Sequence, residues 1–231
     1  MKRNNSLRML AIMALVCLVF GLGRLAAAGE WKVEVVSGDR SIVLTGADAA
    51  AIKAHTVNAA FLRSTGRIDG PSAYTVIPMD TILAQVGGIS PEQAIRVTAR
   101  DGYQMVYSFA QVSGGVFTYD DKGNALRVGG PSMLLAFESE RDSADKLPRI
   151  IYGRPDGIVI TDGHFWAKAV AKIEVIKGVE DWQISLSGAE KVWLDRATFE
   201  SIVTCPVTPH PAVSWSVAEK DGSASTYEGA P

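Results

Sequence analysis

His55, His164 and His210 are the only imidazoles in the chain, and they stand far apart. A zinc site usually shows paired ligands such as His-x-x-x-His or Cys-x-x-Cys, and neither spacing occurs here. No metal site is expected. His164 is the best placed of the three for binding, in Asp162-Gly163-His164 with Trp166 and Lys168 close behind. An imidazole and an ammonium there could meet an anionic ligand, although a packed turn explains the same residues. Gly129-Gly130-Pro131 could bring backbone N–H groups to a phosphate, or it could simply bend the chain into the next buried strand. It lacks the lysine and hydroxyl of a P-loop, which argues against nucleotide hydrolysis. Asp101-Gly102-Tyr103 reads as a turn between two strands, and no Gly-x-Ser-x-Gly nucleophile motif is present. Cys205 precedes Pro206 without a basic sequence neighbour to lower its pKa, so it reads as an inert thiol.

The elements that must position these groups are mostly short strands. From Trp31 to Gly38 apolar and charged residues alternate, which predicts a strand; a second follows at Ser41 to Leu44 after the Gly38-Asp39 turn. Ala47 to Lys53 suggests a short helix, and Asn58 to Ser72, punctuated by Gly66, Gly70 and Pro71, reads as a loop. Pro78 to Val86 looks helical, with Met79, Ile82, Leu83 and Val86 on one face and Gly87-Gly88 ending it. Strands are expected at Ile95–Ala99, Gln104–Phe109, Val116–Tyr119, Ala125–Val128, Met133–Phe137 and Ala171–Ile176. Trp31, Trp182 and Trp193 fall on strand-like segments and read as core residues.

The chain also echoes itself. Trp31-Lys-Val-Glu-Val-Val-Ser-Gly is matched by Trp182-Gln-Ile-Ser-Leu-Ser-Gly. Each is followed by a strand holding Leu44 or Leu194, a short helix, an Asp-Gly turn, and a tyrosine four residues before a proline (Tyr74 and Pro78, Tyr227 and Pro231). Residues 29–178 then form one unit and residues 179–231 an incomplete second copy. Such a part-unit is expected to pack on the first, to stay partly disordered, or to belong to a longer protein.

Residues 1–28 read as a cleavable signal peptide. Lys2, Arg3 and Arg8 precede an apolar run from Met9 to Gly23, and Ala26-Ala27-Ala28 offers a cleavage site. That run is shorter than the roughly 20 residues a membrane span needs, and nothing after it is long and apolar enough. The expected location is the periplasm or the extracellular space. Cleavage would leave 19 basic residues against 25 acidic ones, a poor electrostatic partner for nucleic acid. Only Cys205 would remain, so no internal disulfide is expected.

In order, Trp31…Ser37-Gly38, Tyr74-Thr-Val-Ile-Pro-Met-Asp-Thr-Ile-Leu-Ala-Gln-Val-Gly, Asp101-Gly102-Tyr103, Gly129-Gly130-Pro131 and Trp166-Ala-Lys-Ala-Val-Ala-Lys-Ile-Glu-Val resemble the molybdopterin-binding domain of the sulfite oxidase family. The likeness runs from Trp31 to Val175 and is closest to small exported bacterial domains of that superfamily. It implies an α+β, strand-rich fold of the sulfite oxidase type with short helices. The family's catalytic members hold molybdenum through a cysteine in the loop after the first helix. Here that loop offers Leu62, Arg63 and Ser64, and Cys205 lies earlier than the matching position of the second copy. Where the family carries an arginine after its Gly-x-Pro loop, this chain has Met133; Lys168 does match a family lysine.

Two functions follow as expectations. The first is a non-catalytic exported binding or interaction module, bound to an anionic small molecule, a pterin or another exported protein. The second is an oxidoreductase holding a molybdopterin without cysteine ligation, its pocket lined by Arg63, Ser64, Gly129, Gly130, His164 and Lys168. Tandem units acting as a surface scaffold are a third, weaker reading.

Overall fold

The computed structural model describes residues 31–52, 54–187, 191–203, 213–218 and 222–229. The expected signal peptide, Cys205 and His210 lie outside them. The described chain is strand-rich, with a few short helices.

Alternation does what the sequence promises at the start. In Lys32–Ser37 (β1), Val33 and Val35 point inward while Lys32 and Glu34 face solvent. Gly38, at φ +56°, turns the chain into Arg40–Thr45 (β2), and the two strands pair antiparallel from Lys32↔Thr45 to Ser37↔Arg40. Thr45 then caps the helix Gly46–Ala51 (α1). The Asp48 N–H donates to Thr45 Oγ1, and the Thr45 N–H donates back to Asp48 Oδ2 at 2.9 Å, a reciprocal capping box.

Next come His55–Leu62 (β3) and Ile68–Pro78 (β4), paired antiparallel. This corrects the reading of Asn58 to Ser72 as a loop. Gly70 does not break the strand. At φ +103° it sits beside a register shift opposite Ala59 and Phe61, where a Cβ would come within 2.9 Å of the Ala59 carbonyl oxygen. Glycine there permits a bulge and a close backbone approach.

The helix Met79–Ala84 (α2) buries Met79, Ile82 and Leu83. Gln93–Ala99 (β5) and Gln104–Ser108 (β6) form a hairpin, followed by Phe109–Val112 (α3). Phe117–Tyr119 (β7), Ala125–Val128 (β8), Ser132–Ser139 (β9), Arg149–Gly153 (β10), Val159–Asp162 (β11) and Val170–Lys177 (β12) complete the main body. Five strands form one sheet in the order β2-β1-β12-β5-β6, with β1 and β12 parallel. Seven form the other, in the order β10-β9-β4-β3-β11-β7-β8. One apolar cluster takes Val33, Val97 and Ile173 from the first sheet and Val76, Leu135 and Ile151 from the second. Burying such side chains contributes about 1.5–3 kcal/mol each. Two of the phenols inside it donate to backbone carbonyls, Tyr107 to Phe165 at 2.8 Å and Tyr152 to Gln111 at 3.1 Å.

Beyond β12 the chain forms Gln183–Ser187 (β13) and Lys191–Asp195 (β14), the helix Arg196–Val203 (α4), and the hairpin of Val213–Ala218 (β15) with Ala224–Gly229 (β16). Trp182 is not a core residue. It is 38% exposed and packs against Phe199, with ring centroids 5.7 Å apart. Among the described residues, no helix is long and apolar enough to cross a membrane.

Candidate functional site

The densest polar constellation forms where β3 turns into β4. The Arg63 N–H donates to the Arg67 carbonyl at 2.9 Å and the Gly66 N–H to the Arg63 carbonyl at 2.9 Å, closing a tight hairpin around Gly66 at φ +77°. The turn sets Arg63 and Arg67 near Asp69, which stands opposite Phe61 in the β3–β4 register. Arg67 donates to Asp69 Oδ1 through Nε at 3.1 Å and Nη2 at 2.8 Å. Arg63 donates to Oδ2 through Nε. Arg141, from the segment after β9, reaches the same oxygen with Nη2 at 2.8 Å.

Burial alone would raise the Asp69 pKa. The N–H groups of Arg67, Arg141 and Arg63 outweigh it and bring the carboxyl down to about 2. Asp69 is therefore ionised at neutral pH, and three guanidinium ions share one carboxylate.

A second arginine pair lies beneath. Arg149 is buried and forks between Asp142 Oδ2, at 2.5 Å from Nη1, and the Trp166 carbonyl, at 3.3 Å from Nη2. Its guanidinium lies 5.1 Å from the Trp166 ring and 5.6 Å from Phe61, while that of Arg141 lies 5.3 Å from Phe61. Phe61 packs on Trp166 at 4.8 Å, and the Trp166 indole N–H donates to Thr161 Oγ1 at 2.8 Å. Cation–π contacts of this kind contribute about 0.5–2 kcal/mol, so the aromatic pair fixes the direction of both arginines. Lys168 is at the surface. Its ammonium is held below the usual lysine range by partial desolvation, then by the positive charges of Arg149 and Lys146.

The Gly129-Gly130-Pro131 bend lies elsewhere in the same sheet. It borders a hollow of about 210 Å³ that Tyr119, Arg127, Arg154 and Ile160 also line. The Gly129 N–H is already used, donating to the Val116 carbonyl at 2.9 Å. A Cβ on Gly114 would come within 1.9 Å of the Pro131 carbonyl oxygen. The bend is packed against the chain leaving α3, as a tight turn into β9 would be.

Arg63, Ser64, Gly129, Gly130, His164 and Lys168 are thus distributed over one end of the seven-stranded sheet. Register brings the ends of β3, β11 and β8 there together, through Leu62↔Asp162, Thr161↔Thr118 and Phe117↔Val128. The hollow is lined by Gly129 and Gly130 but not by the other four. Ser64 is exposed at the hairpin tip. His164 sits on a 3-10 turn, Gly163–Phe165, with its N–H donating to Asp162 Oδ1 at 2.8 Å and its ring near Phe165.

Sequence reasoning reached Arg63 but missed Arg67, Asp69, Arg141 and Arg149. Arg-x-x-x-Arg-x-Asp around a glycine turn was the available signal for the first two. Among the described residues, no three His, Cys, Asp or Glu side chains are grouped to hold a metal ion. No protein-family model matches the chain, and no curated protein matches it.

Proposed function

We propose that this chain is an exported, non-catalytic binding module with a sulfite oxidase-type fold in residues 29–178, and that residues 179–231 repeat the opening part of that unit. The observation that carries this reading is the end of β3. There the resemblance calls for a metal-binding thiolate, and the chain places Leu62, Arg63 and Ser64, with Arg63 clasped to Asp69. A guanidinium has only donors and offers a metal no lone pair, and a serine hydroxyl is a harder, less acidic ligand than a thiol. Neither side chain supplies the sulfur ligand that the resemblance calls for, and the serine does not simply inherit the thiolate's role.

Two features support the fold and the repeat. The opening strand β1 lies parallel to the closing strand β12, with β5 on its far side. The order hairpin, helix, hairpin in β1 to β4 recurs in β13 to β16. The oxidoreductase reading draws less support, because the hollow beside Gly129 is smaller than the roughly 300–1,000 Å³ of small-molecule sites. The test is the molybdenum and pterin content of the chain purified from a cofactor-making host. Absence of both is expected; one molybdenum per chain would overturn the reading.

A further inference from the structure

We propose that Arg63, Arg67 and Arg141, gathered on Asp69, form a binding site for a tetrahedral dianion of the phosphate class. This deepens the binding-module reading above and rests on it.

Charge is the first reason. Three cations meet one carboxylate, an excess of two positive charges within these ion pairs. Of the two acidic groups that flank Arg141 in sequence, Asp142 is committed to Arg149, and Glu140 is exposed and takes part in none of the ion pairs among the described residues. Structural need explains less than what is present. Arg67 donates twice to Asp69 Oδ1, while Arg63 and Arg141 both reach Oδ2, so two guanidinium groups would suffice for the two oxygens. The third adds repulsion unless an anion joins them.

Geometry is the second reason. Asp69 is only 3% exposed, while the side chains of Arg63, Arg67 and Arg141 are 46%, 69% and 30% exposed. The carboxylate is at the floor and the guanidinium groups form the rim. Each guanidinium carries five N–H donors, and Asp69 takes one from Arg63, two from Arg67 and one from Arg141. Most donors therefore remain for a ligand at the rim. A planar fork suits the oxygens of phosphate. The hairpin turn, Asp69 and the Phe61 ring already hold the three side chains in place, so less rotamer freedom is lost on binding.

The experiment is calorimetric titration of the full chain with inorganic phosphate, against sodium chloride at equal ionic strength. R67Q and R141Q are compared with R96Q, which alters the Arg96–Glu174 pair on the five-stranded sheet. Arg67 is the most exposed of the three, so R67Q keeps the fold, and a circular dichroism melt verifies this. Saturable phosphate binding is expected, weakened at least about tenfold in R67Q and in R141Q and unchanged in R96Q. Equal responses to phosphate and chloride, or unchanged affinity in both rim variants, would overturn the site. Either result without molybdenum in the protein removes this inference alone, whereas stoichiometric molybdenum removes the reading beneath it.

Discussion

Arg196 Nη2 donates to the Val106 carbonyl at 3.1 Å, joining the start of α4 to the edge strand β6. Arg196 is 3% exposed; its Nε meets Asp181 at 3.0 Å and its Nη1 meets Glu200 at 2.6 Å. The segment beyond β12 thus covers a sheet edge that would otherwise present unpaired backbone groups. Replacing Arg196 with alanine leaves the Val106 carbonyl without this donor, at a cost of about 1–3 kcal/mol. Hydrogen exchange should show lost protection in α4 and β14, with β5 and β12 unchanged.

The Arg149–Asp142 pair should be far less tolerant. Both side chains are nearly inaccessible, at 1% and 5%. Arg149→Met strands a buried carboxylate and should destabilise by about 3–5 kcal/mol in urea denaturation. Adding Asp142→Leu should recover part of that loss, because the second change removes the uncompensated charge.

Asp69 makes a pH prediction whose sign is fixed. Its folded pKa, about 2, lies below the usual 3.8. The stability it contributes is therefore complete above about pH 4 and is lost as pH falls toward 2. Asp69→Asn should cost about 1–3 kcal/mol at pH 7, and the gap from the unmodified chain should narrow through that acid window. Denaturation curves of both proteins from pH 7 to pH 2 check it.

Gly114 tests the packing of the Gly-Gly-Pro bend. At φ +89°, with the Pro131 carbonyl oxygen 1.9 Å from where a Cβ would sit, alanine must push the bend away. Gly114→Ala should lower stability by at least about 1–3 kcal/mol. Thermal melting measures the loss, and an unaltered melting temperature would contradict this packing.

What the sequence disclosed depended on how local the signal was. Alternation in Lys32–Ser37 and the apolar face of Met79–Ala84 are near-neighbour patterns, and both elements formed as expected. β3 and β4 were hidden because Gly66, Gly70 and Pro71 mark turns by composition, yet only Gly66 serves the hairpin; Gly70 lies inside a strand where the neighbouring backbone comes close. β10 escaped because its buried run, Arg149 to Gly153, opens with a charge whose partner Asp142 lies seven residues away. Arg141 joined the site only through folding, since nothing in its own neighbourhood points to Asp69. The strand context of Trp182 suggests a core residue, but the side chain is exposed, with Phe199 on α4 beside its ring.

Nitrogen-edited NMR of the arginine side chains during a phosphate titration tests the Asp69 site most directly. The Nε–Hε signals of Arg63, Arg67 and Arg141 should shift together and saturate, while the Gly129 and Gly130 amides stay still. Shifts concentrated at Gly129 and Gly130, with the three arginines silent, would contradict it.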